Sequence, residues 1–165
     1  MIFVTVGSQM PFDRLVRAVD DWAVARGRGD LFFQVGAGGT AARSGESAER
    51  LSPAEFRERL RGADLVVGHA GTGTILSALE FDRPLLMLPR RADLGETRTD
   101  HQMSTVRRLG QRPGIAAAAT EEDLVRLLDG PWPARPGACP VPESRTRLIA
   151  AIRDFLAHLE DPGRA

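Results

Sequence analysis

The sequence contains no lysine, no asparagine and no tyrosine, and it has one cysteine, Cys139. A single cysteine cannot form an internal disulfide, so the sequence indicates a reducing compartment rather than a disulfide-stabilised secreted domain. Long apolar runs are also missing, since no segment approaches the roughly 20 apolar residues that a membrane-spanning helix requires. We therefore expect a cytoplasmic protein that reaches a membrane only through a surface or a partner.

The charge balance and several missing motifs exclude other classes of protein. The 22 basic residues, all arginine, offset 22 acidic residues, so no net field attracts nucleic acid. No Asp-x-Asp sequence and no Cys/His or His/Glu cluster with metal-ligand spacing is present, so we expect no metal site. A Walker A loop, a Gly-x-Ser-x-Gly elbow and a complete dinucleotide fingerprint are absent too.

Short apolar runs alternate with segments of helical periodicity, which indicates a parallel sheet covered by helices. The predicted strands span residues 2–6, 31–35, 64–67, 84–88 and, as a short last strand, 115–118. The predicted helices span residues 12–25, 52–61, 71–81 and 100–109, with a fifth that starts at the Thr120–Asp123 capping box. Residues 36–45 are predicted to be a Gly-rich loop. This order is typical of α/β proteins with a Rossmann-like, doubly wound parallel sheet.

The pattern predicts a single domain over residues 1–165. Its core spans residues 1–129, and a connector with five prolines follows over residues 130–143. Proline favours an extended path there. A C-terminal helix is predicted over residues 144–160, with apolar side chains on one face, which is typical of a helix that packs on its own domain.

Four segments meet at the predicted carboxyl edge of the sheet, where ligands bind in folds of this kind. The most informative is the turn after the third strand, which contains His69, Ala70, Gly71, Thr72, Gly73 and Thr74. Its glycines let the backbone approach a ligand, and the amides and hydroxyls of the first helical turn can donate hydrogen bonds to a diphosphate. Simple strand-to-helix packing is the alternative for such a Gly-x-Gly turn.

The long connection over residues 90–100 is harder to explain by structure alone, because long loops in compact domains are usually functional or disordered. Arg90 and Arg91 can pair with phosphate or carboxylate groups, and Gln102 offers a donor and an acceptor to sugar hydroxyls. A solvated loop held by salt bridges is the alternative.

Residues 64–102, which read DLVVGHAGTGTILSALEFDRPLLMLPRRADLGETRTDHQ, resemble the C-terminal domain of glycosyltransferase family 28. The start of the chain, MIFVTVGSQMPFDRLVRAVD, strengthens the resemblance. Within that family the chain is most similar to the small catalytic subunits of two-subunit bacterial exopolysaccharide or capsule glycosyltransferases. Those subunits are similar in turn to the catalytic subunit of the eukaryotic dolichol-pathway UDP-GlcNAc transferase.

The resemblance implies the donor-binding half of a GT-B fold and an enzyme, a UDP-sugar-dependent hexosyltransferase. Transfer would be inverting and independent of metal or cofactor, to a lipid-diphospho-saccharide in exopolysaccharide or capsule synthesis. A membrane-anchored, acceptor-binding subunit would be the partner and would hold the chain at the inner membrane, and the chain alone could form a homo-oligomer. No nucleic acid is expected as a partner.

The resemblance also implies a set of donor-binding residues, namely Gly7, Ser8, Gln34, Gly36, His69, Ala70, Gly71, Thr72, Gly73, Thr74, Ser77, Glu80, Arg90, Arg91, His101 and Gln102. In many relatives a glutamate at the position of Ser77 holds the ribose, and Glu80 is the candidate replacement. The catalytic base is expected on the partner, with His69 as a candidate in this chain. Arg90 and Arg91 slightly favour UDP-glucuronate as the expected donor, because they could pair with its carboxylate.

Two other classes of function stay open at this point. One is a non-catalytic nucleotide-binding module that regulates or scaffolds a polysaccharide assembly, which the missing ribose glutamate favours. The intact DHQ sequence at residues 100–102 counts against it. The other is a plain α/β interaction protein with a vestigial cleft.

Overall fold

The computed structural model of the protein describes residues 1–110, 112–137 and 150. Its strands are β1 (Ile2–Thr5), β2 (Leu31–Gln34), β3 (Glu46–Ala48), β4 (Leu65–His69), β5 (Leu85–Leu88) and β6 (Ile115–Ala117). Its helices are α1 (Asp13–Ala25), α2 (Pro53–Gly62), α3 (Thr72–Glu80), α4 (His101–Leu109) and α5 (Glu121–Asp129). Strands and helices alternate along most of the chain, as the sequence pattern predicts.

The strands form one sheet in the order β3-β2-β1-β4-β5-β6, and every adjacent pair is parallel. The predicted Rossmann-like, doubly wound sheet is therefore confirmed. The chain runs outward from β1 to β3, then returns to β4 on the other side of β1. Neighbouring connections diverge between β1 and β4, and a crevice forms at such a switch point beyond the carboxyl ends of the strands.

Strand β3 is the element that the sequence pattern misses. It pairs with β2 through Phe32 and Glu46 and through Gln34 and Ala48. Its sequence, Glu-Ser-Ala, is largely exposed at the edge of the sheet, so it carries none of the apolar alternation that marks a strand. Backbone pairing with β2, rather than side-chain burial, defines this strand.

Both faces of the sheet are covered, which explains why the strands read as continuous apolar runs. On one face Val4, Val67 and Leu86 pack with side chains of α1 and α5. On the other face Phe3 and Met87 belong to a second cluster that includes side chains of α2, α3 and α4. The register between strands is therefore fixed from both sides, because a one-residue shift would exchange the two sets of side chains.

Helix starts follow the predicted capping residues in two cases and depart from them in one. Both predicted capping boxes are present, Ser52 with Glu55 at α2 and Thr120 with Asp123 at α5. Asp100 occupies the position before α4 but does not cap the helix with its side chain. Its carboxylate instead accepts a hydrogen bond from the backbone nitrogen of Ala92 at 3.0 Å, within the preceding loop.

The connector after α5 is described as far as Gly137 and contains no helix or strand over residues 131–137. Trp132 donates its indole N–H to the Leu128 carbonyl, and the backbone nitrogen of Gly137 donates to Asp82. The rest of the connector and the predicted helix over 144–160 lie outside the described residues, Ala150 excepted. In the described part of the chain, no helix has the length and apolar character to cross a bilayer.

The fully buried Leu86 of β5 tests this packing. Leu86→Ala should lower the free energy of unfolding by about 2–5 kcal/mol, because it removes buried methyl groups and leaves a cavity. Leu76→Ala is the matched control, since Leu76 is 59% exposed and the same change there should cost less than about 0.5 kcal/mol. Urea denaturation of both variants measures the difference, and equal losses would contradict the described burial.

Candidate functional site

A cleft of about 570 Å³ lies at the switch point of the sheet. The segment after β1 lines it with Val6, Gly7, Ser8, Gln9 and Met10. The segment after β4 adds His69, Gly71, Thr72, Gly73, Thr74 and Ser77, and the segment after β5 adds Arg90, Glu96, Thr97, His101 and Gln102. The remaining wall consists of Gln34, Leu51, Pro53 and Phe56. A cavity of this size suits a ligand larger than a single sugar ring.

The structure brings most of the predicted donor-binding residues to this cleft and leaves four of them outside its lining. Ala70 is buried in the core, and Glu80 and Arg91 are exposed elsewhere. Gly36 packs against the β1–α1 loop, where an added Cβ would lie 3.1 Å from the Cα of Pro11. Glycine at position 36 is therefore explained by the close approach of that loop.

The N-terminus of α3 opens into the cleft. Gly71 precedes the helix and provides no side-chain cap, so the first-turn amides have no capping acceptor in the described part of the chain. An added Cβ at Gly73 would meet nothing within 4 Å, which shows that this backbone faces open space. Unpaired amides at a helix N-terminus attract negative charge through the helix dipole. The turn thus has the properties of an anion site.

The imidazole of His69 accounts for two of the predicted glycines. A Cβ at Gly7 would lie 2.6 Å from the ring, and a Cβ at Gly71 would lie 2.1 Å from it. The ring therefore packs directly against the backbone of both turns. Close packing of His69, rather than ligand approach, is sufficient to require glycine at these two positions.

The environment of His69 keeps its imidazole neutral. Burial, the larger cause, and the nearby positive charge of Arg90 together lower the pKa of the imidazole to about 4, against a backbone hydrogen bond with Thr5 that raises it. The Thr74 hydroxyl lies 3.3 Å from Nδ1. A general base works best with a pKa near the operating pH, so this imidazole is a weak proton acceptor.

Two buried glutamines line the cleft, and the described contacts engage the side-chain oxygen of each. The Gln34 oxygen accepts a hydrogen bond from the Thr5 hydroxyl, and the Gln102 oxygen accepts one from the Arg90 backbone nitrogen at 3.0 Å. Within the described residues, neither side-chain nitrogen donates a hydrogen bond. Each glutamine therefore has two N–H donors left for a ligand.

Arg90 is held by backbone rather than by an acid. Its two terminal nitrogens donate to the carbonyl oxygens of Val6, Met10, Pro11 and Glu96 at 2.7–3.3 Å. This use of its donors leaves Nε as the remaining N–H, so a side-on pair with a uronate carboxylate is not available. Arg91 pairs with Asp93 outside the cleft. The two arginines thus give no support to UDP-glucuronate as the donor.

Several lining residues are not among the predicted donor-binding residues. Leu51, Pro53 and Phe56 form an apolar wall at the start of α2, and the motifs around them indicate only a helix cap. Gln9 and Met10 follow β1 directly, so their position at the carboxyl end of a strand was the available signal. Glu96 and Thr97 lie in the long loop whose path the sequence does not define. Among the described residues, no group of three His, Cys, Asp or Glu side chains could hold a metal ion.

The fold and the cleft define a Rossmann-like α/β domain of the GT-B glycosyltransferase type. The model of the glycosyltransferase family 28 C-terminal domain matches residues 1–130. The chain belongs to this family, and it is a glycosyltransferase domain. A comparison with curated proteins found no significant match.

Solved structures share the fold at low sequence identity. The NMR solution structure of ALG13 is 20% identical with a TM-score of 0.60, and the match covers 89% of this chain and 93% of that chain. The glycotransferase of kitacinnamycin is 19% identical with a TM-score of 0.51, covering 95% of this chain and 39% of that one. UDP-glucose: anthocyanidin 3-O-glucosyltransferase in complex with UDP is 14% identical with a TM-score of 0.56, covering 78% and 30%. The chain thus spans well under half of the last two proteins.

The neutral state of His69 predicts a pH dependence of stability. The folded-state pKa of about 4 lies below the ordinary histidine pKa of 6.5, so the unfolded chain binds more protons between these values. Stability should therefore fall as the pH drops from 6.5 towards 4, by about 3 kcal/mol in total from this group. Urea unfolding at several pH values measures this slope, and NMR titration should place the His69 midpoint near 4.

His69→Gln is the matched variant for this measurement, because a glutamine does not titrate. Its stability should lose the part of the pH dependence between 6.5 and 4 that His69 contributes. An unchanged slope in His69→Gln, or a His69 midpoint close to 6.5, would contradict the burial of the neutral ring.

Proposed function

We propose that the chain is the donor-binding catalytic subunit of an inverting, metal-independent UDP-sugar hexosyltransferase. The observation that carries the proposal is the uncapped N-terminus of α3, which opens into the main cleft of a glycosyltransferase family 28 domain. A departing nucleoside diphosphate needs stabilisation of its negative charge, and fixed backbone donors at a helix N-terminus supply it without a metal. The donor would therefore place its diphosphate at Thr72–Thr74.

The electrostatics of the cleft favour an anion at this position. Arg90 brings a buried positive charge to the cleft without a carboxylate partner among the described ion pairs. The one acidic side chain in the lining, Glu96, has both oxygens bound by Arg14. The cleft thus contains more unbalanced positive than negative charge, which suits a diphosphate.

The remaining walls suit the two ends of a nucleotide sugar. Leu51, Pro53 and Phe56 offer an apolar surface that a flat nucleobase can cover. His101 and Gln102 lie at the start of α4 in the same cleft, and the free N–H donors of Gln102 suit sugar hydroxyls. A UDP-sugar with its base at α2 and its sugar at α4 would cross the N-terminus of α3 between them.

A second candidate, a non-catalytic nucleotide-binding module, is favoured by the ribose position. Ser77 lines the cleft where many relatives have a glutamate, and Glu80 lies outside the lining. No free carboxylate of the described lining residues is available to bind a ribose diol. A sugar-transfer assay separates this candidate from the first, since both bind UDP and the module transfers nothing.

The cited structures are consistent with a nucleotide ligand at this fold. One neighbour, UDP-glucose: anthocyanidin 3-O-glucosyltransferase, was solved in complex with UDP. Its identity of 14% to this chain supports a shared fold, and the ligand of this chain is inferred from the cleft itself. The lining offers hydroxyl-binding donors without a feature specific to one sugar.

The acceptor side of the reaction would come from a membrane-anchored partner that presents a lipid-diphospho-saccharide and supplies the base. Met10, Leu76 and Leu94 are large apolar side chains that are 46–59% exposed. All three belong to the segments that line the cleft or flank it. Exposed apolar side chains around a cleft are typical of a surface that another protein covers. The weak base His69 also favours a base on the partner.

UDP binding at α3 is tested with Gly73→Val. The branched side chain should enter the open space beside the helix N-terminus and reduce UDP affinity by at least about tenfold, because the diphosphate can no longer approach the backbone. Gly62→Ala is the control, since a Cβ there makes an ordinary contact at 3.9 Å outside the cleft. Calorimetry with UDP measures both variants. Wild-type UDP affinity in a folded Gly73→Val protein would refute the assignment of the diphosphate to α3.

The partner proposal predicts that the isolated chain binds UDP but transfers no sugar, and that its partner restores transfer to a lipid acceptor. Leu94→Glu should weaken that restoration, because it places a charge on the apolar rim of the cleft. Val24→Glu is the control, as Val24 is equally exposed at the far end of α1. Transfer of radiolabelled sugar to lipid measures the effect. Turnover by the isolated chain at the rate of the complex contradicts the proposal.

A further inference from the structure

Arg90 is a buried cation without the usual partner. Its side chain lies in the cleft wall, and the residue is 5% exposed. Buried arginines normally pair with a carboxylate, because an unpaired charge loses its hydration on burial. None of the ion pairs in the described part of the chain includes Arg90. Its charge is instead solvated by backbone dipoles.

These dipoles come from two different loops that we call the rim loops, residues 6–12 between β1 and α1 and residues 89–100 between β5 and α4. Nη2 donates to the carbonyls of Val6 at 2.9 Å and Met10 at 2.7 Å, both in the first rim loop. Nη1 donates to Pro11 at 2.8 Å in the same loop and to Glu96 at 3.3 Å in the second. One planar guanidinium therefore fixes the distance between the two rim loops.

A second arginine anchors the second rim loop. Arg14 of α1 binds both oxygens of the Glu96 carboxylate, at 2.7 and 2.8 Å, and also the Pro89 carbonyl. The guanidinium groups of Arg14 and Arg90 both lie over the ring of Phe12, at 5.1 and 4.6 Å from its centre. The second rim loop is thus tied to α1, and the first is tied to the second through Arg90.

The first rim loop is held in a particular state by these contacts. Three of its carbonyls are turned to Arg90, whereas the backbone N–H groups of Ser8, Gln9 and Met10 donate no hydrogen bond within the described residues. Residues 8–10 are exposed, so water binds these N–H groups until a ligand replaces it. A loop fixed in this state presents donors without the entropy cost of ordering them on binding.

We propose that Arg90 is a positioning residue, which holds both rim loops in the arrangement that binds the donor nucleotide and does so through four backbone carbonyls. The proposal rests on the proposed UDP-sugar function for its ligand, whereas the clamp itself is a property of the described contacts. Lysine at this position would keep the charge, but three N–H donors on one ammonium cannot reach four carbonyls that a planar fork reaches.

The experiment compares Arg90→Met, Arg90→Lys and the control Arg43→Met. Arg43 is the control because its exposed guanidinium also ties a loop to α1, through Asp20, away from the cleft lining. Hydrogen exchange of the Val6 and Gly7 amides, which donate to Gln34 and Thr5, measures the clamp, and calorimetry with UDP measures the ligand. The NMR signal of the His69 ring is a third measurement, since that ring packs against Gly7 of the first rim loop.

Arg90→Met should raise amide exchange at Val6 and Gly7 about tenfold, shift the His69 signal and lower UDP affinity about tenfold. Arg90→Lys should change the logarithm of the exchange rate and of the UDP affinity about a third as much as Arg90→Met does. This variant keeps the proposal testable if Arg90→Met does not fold. Arg43→Met should leave all three measurements as in the wild type.

The three measurements separate this proposal from its alternatives. Lost UDP affinity with unchanged exchange would make Arg90 a direct ligand contact and overturn the positioning role. Raised exchange with unchanged UDP affinity would mean that Arg90 only stabilises the loops, which overturns the positioning role too. Wild-type exchange and wild-type UDP affinity in Arg90→Lys would also overturn it. A wild-type protein that binds no UDP would refute the proposed function, while the exchange data would still test the clamp.

Discussion

The parallel pairing of β1 with β2 on one side and with β4 on the other is the constraint on which the rest of the structure depends. It places the carboxyl ends of β1, β4 and β5 at one edge, and it sends the connections on either side of β1 in opposite directions. A crevice must open where the connections diverge. The segments after these strands are far apart along the chain, and the pairing brings them within one cleft.

The contacts around that crevice explain several motif residues by packing alone, without a ligand. Glycine is required at Gly7 and Gly71 because the His69 ring occupies the space of their side chains. Gly73 differs, because nothing occupies that space in the structure. One turn thus contains glycines of two kinds, one needed for packing and one that leaves the backbone accessible. This difference identifies the part of the turn where a ligand has room.

The long loop after β5 combines the two interpretations that its sequence allows. It is held by salt bridges, as Arg14 pairs with Glu96 and Arg91 pairs with Asp93. It also delivers His101 and Gln102 to the cleft at the start of α4. The sequence suggests ligand contacts for all of these polar residues. Some of them, such as Arg90, instead hold the loop together, whereas His101 and Gln102 are presented to the cleft. Arg90 has both roles, because its buried charge holds the loop in place and also lies in the cleft wall.

The sequence by itself determined the α/β class, the five strands with apolar runs, both capping boxes and most of the cleft residues, because these follow from local periodicity and from the rule that ligands bind at strand ends. Tertiary structure decided the rest. Strand β3 is defined by backbone pairing that its exposed residues do not encode. The apolar wall at Leu51 and Phe56 joins the cleft only because α2 packs there. Arg90 donates to four carbonyls rather than to a ligand because the fold brought the distant residues 6–12 to its own loop, and no local pattern records which partners a side chain will meet.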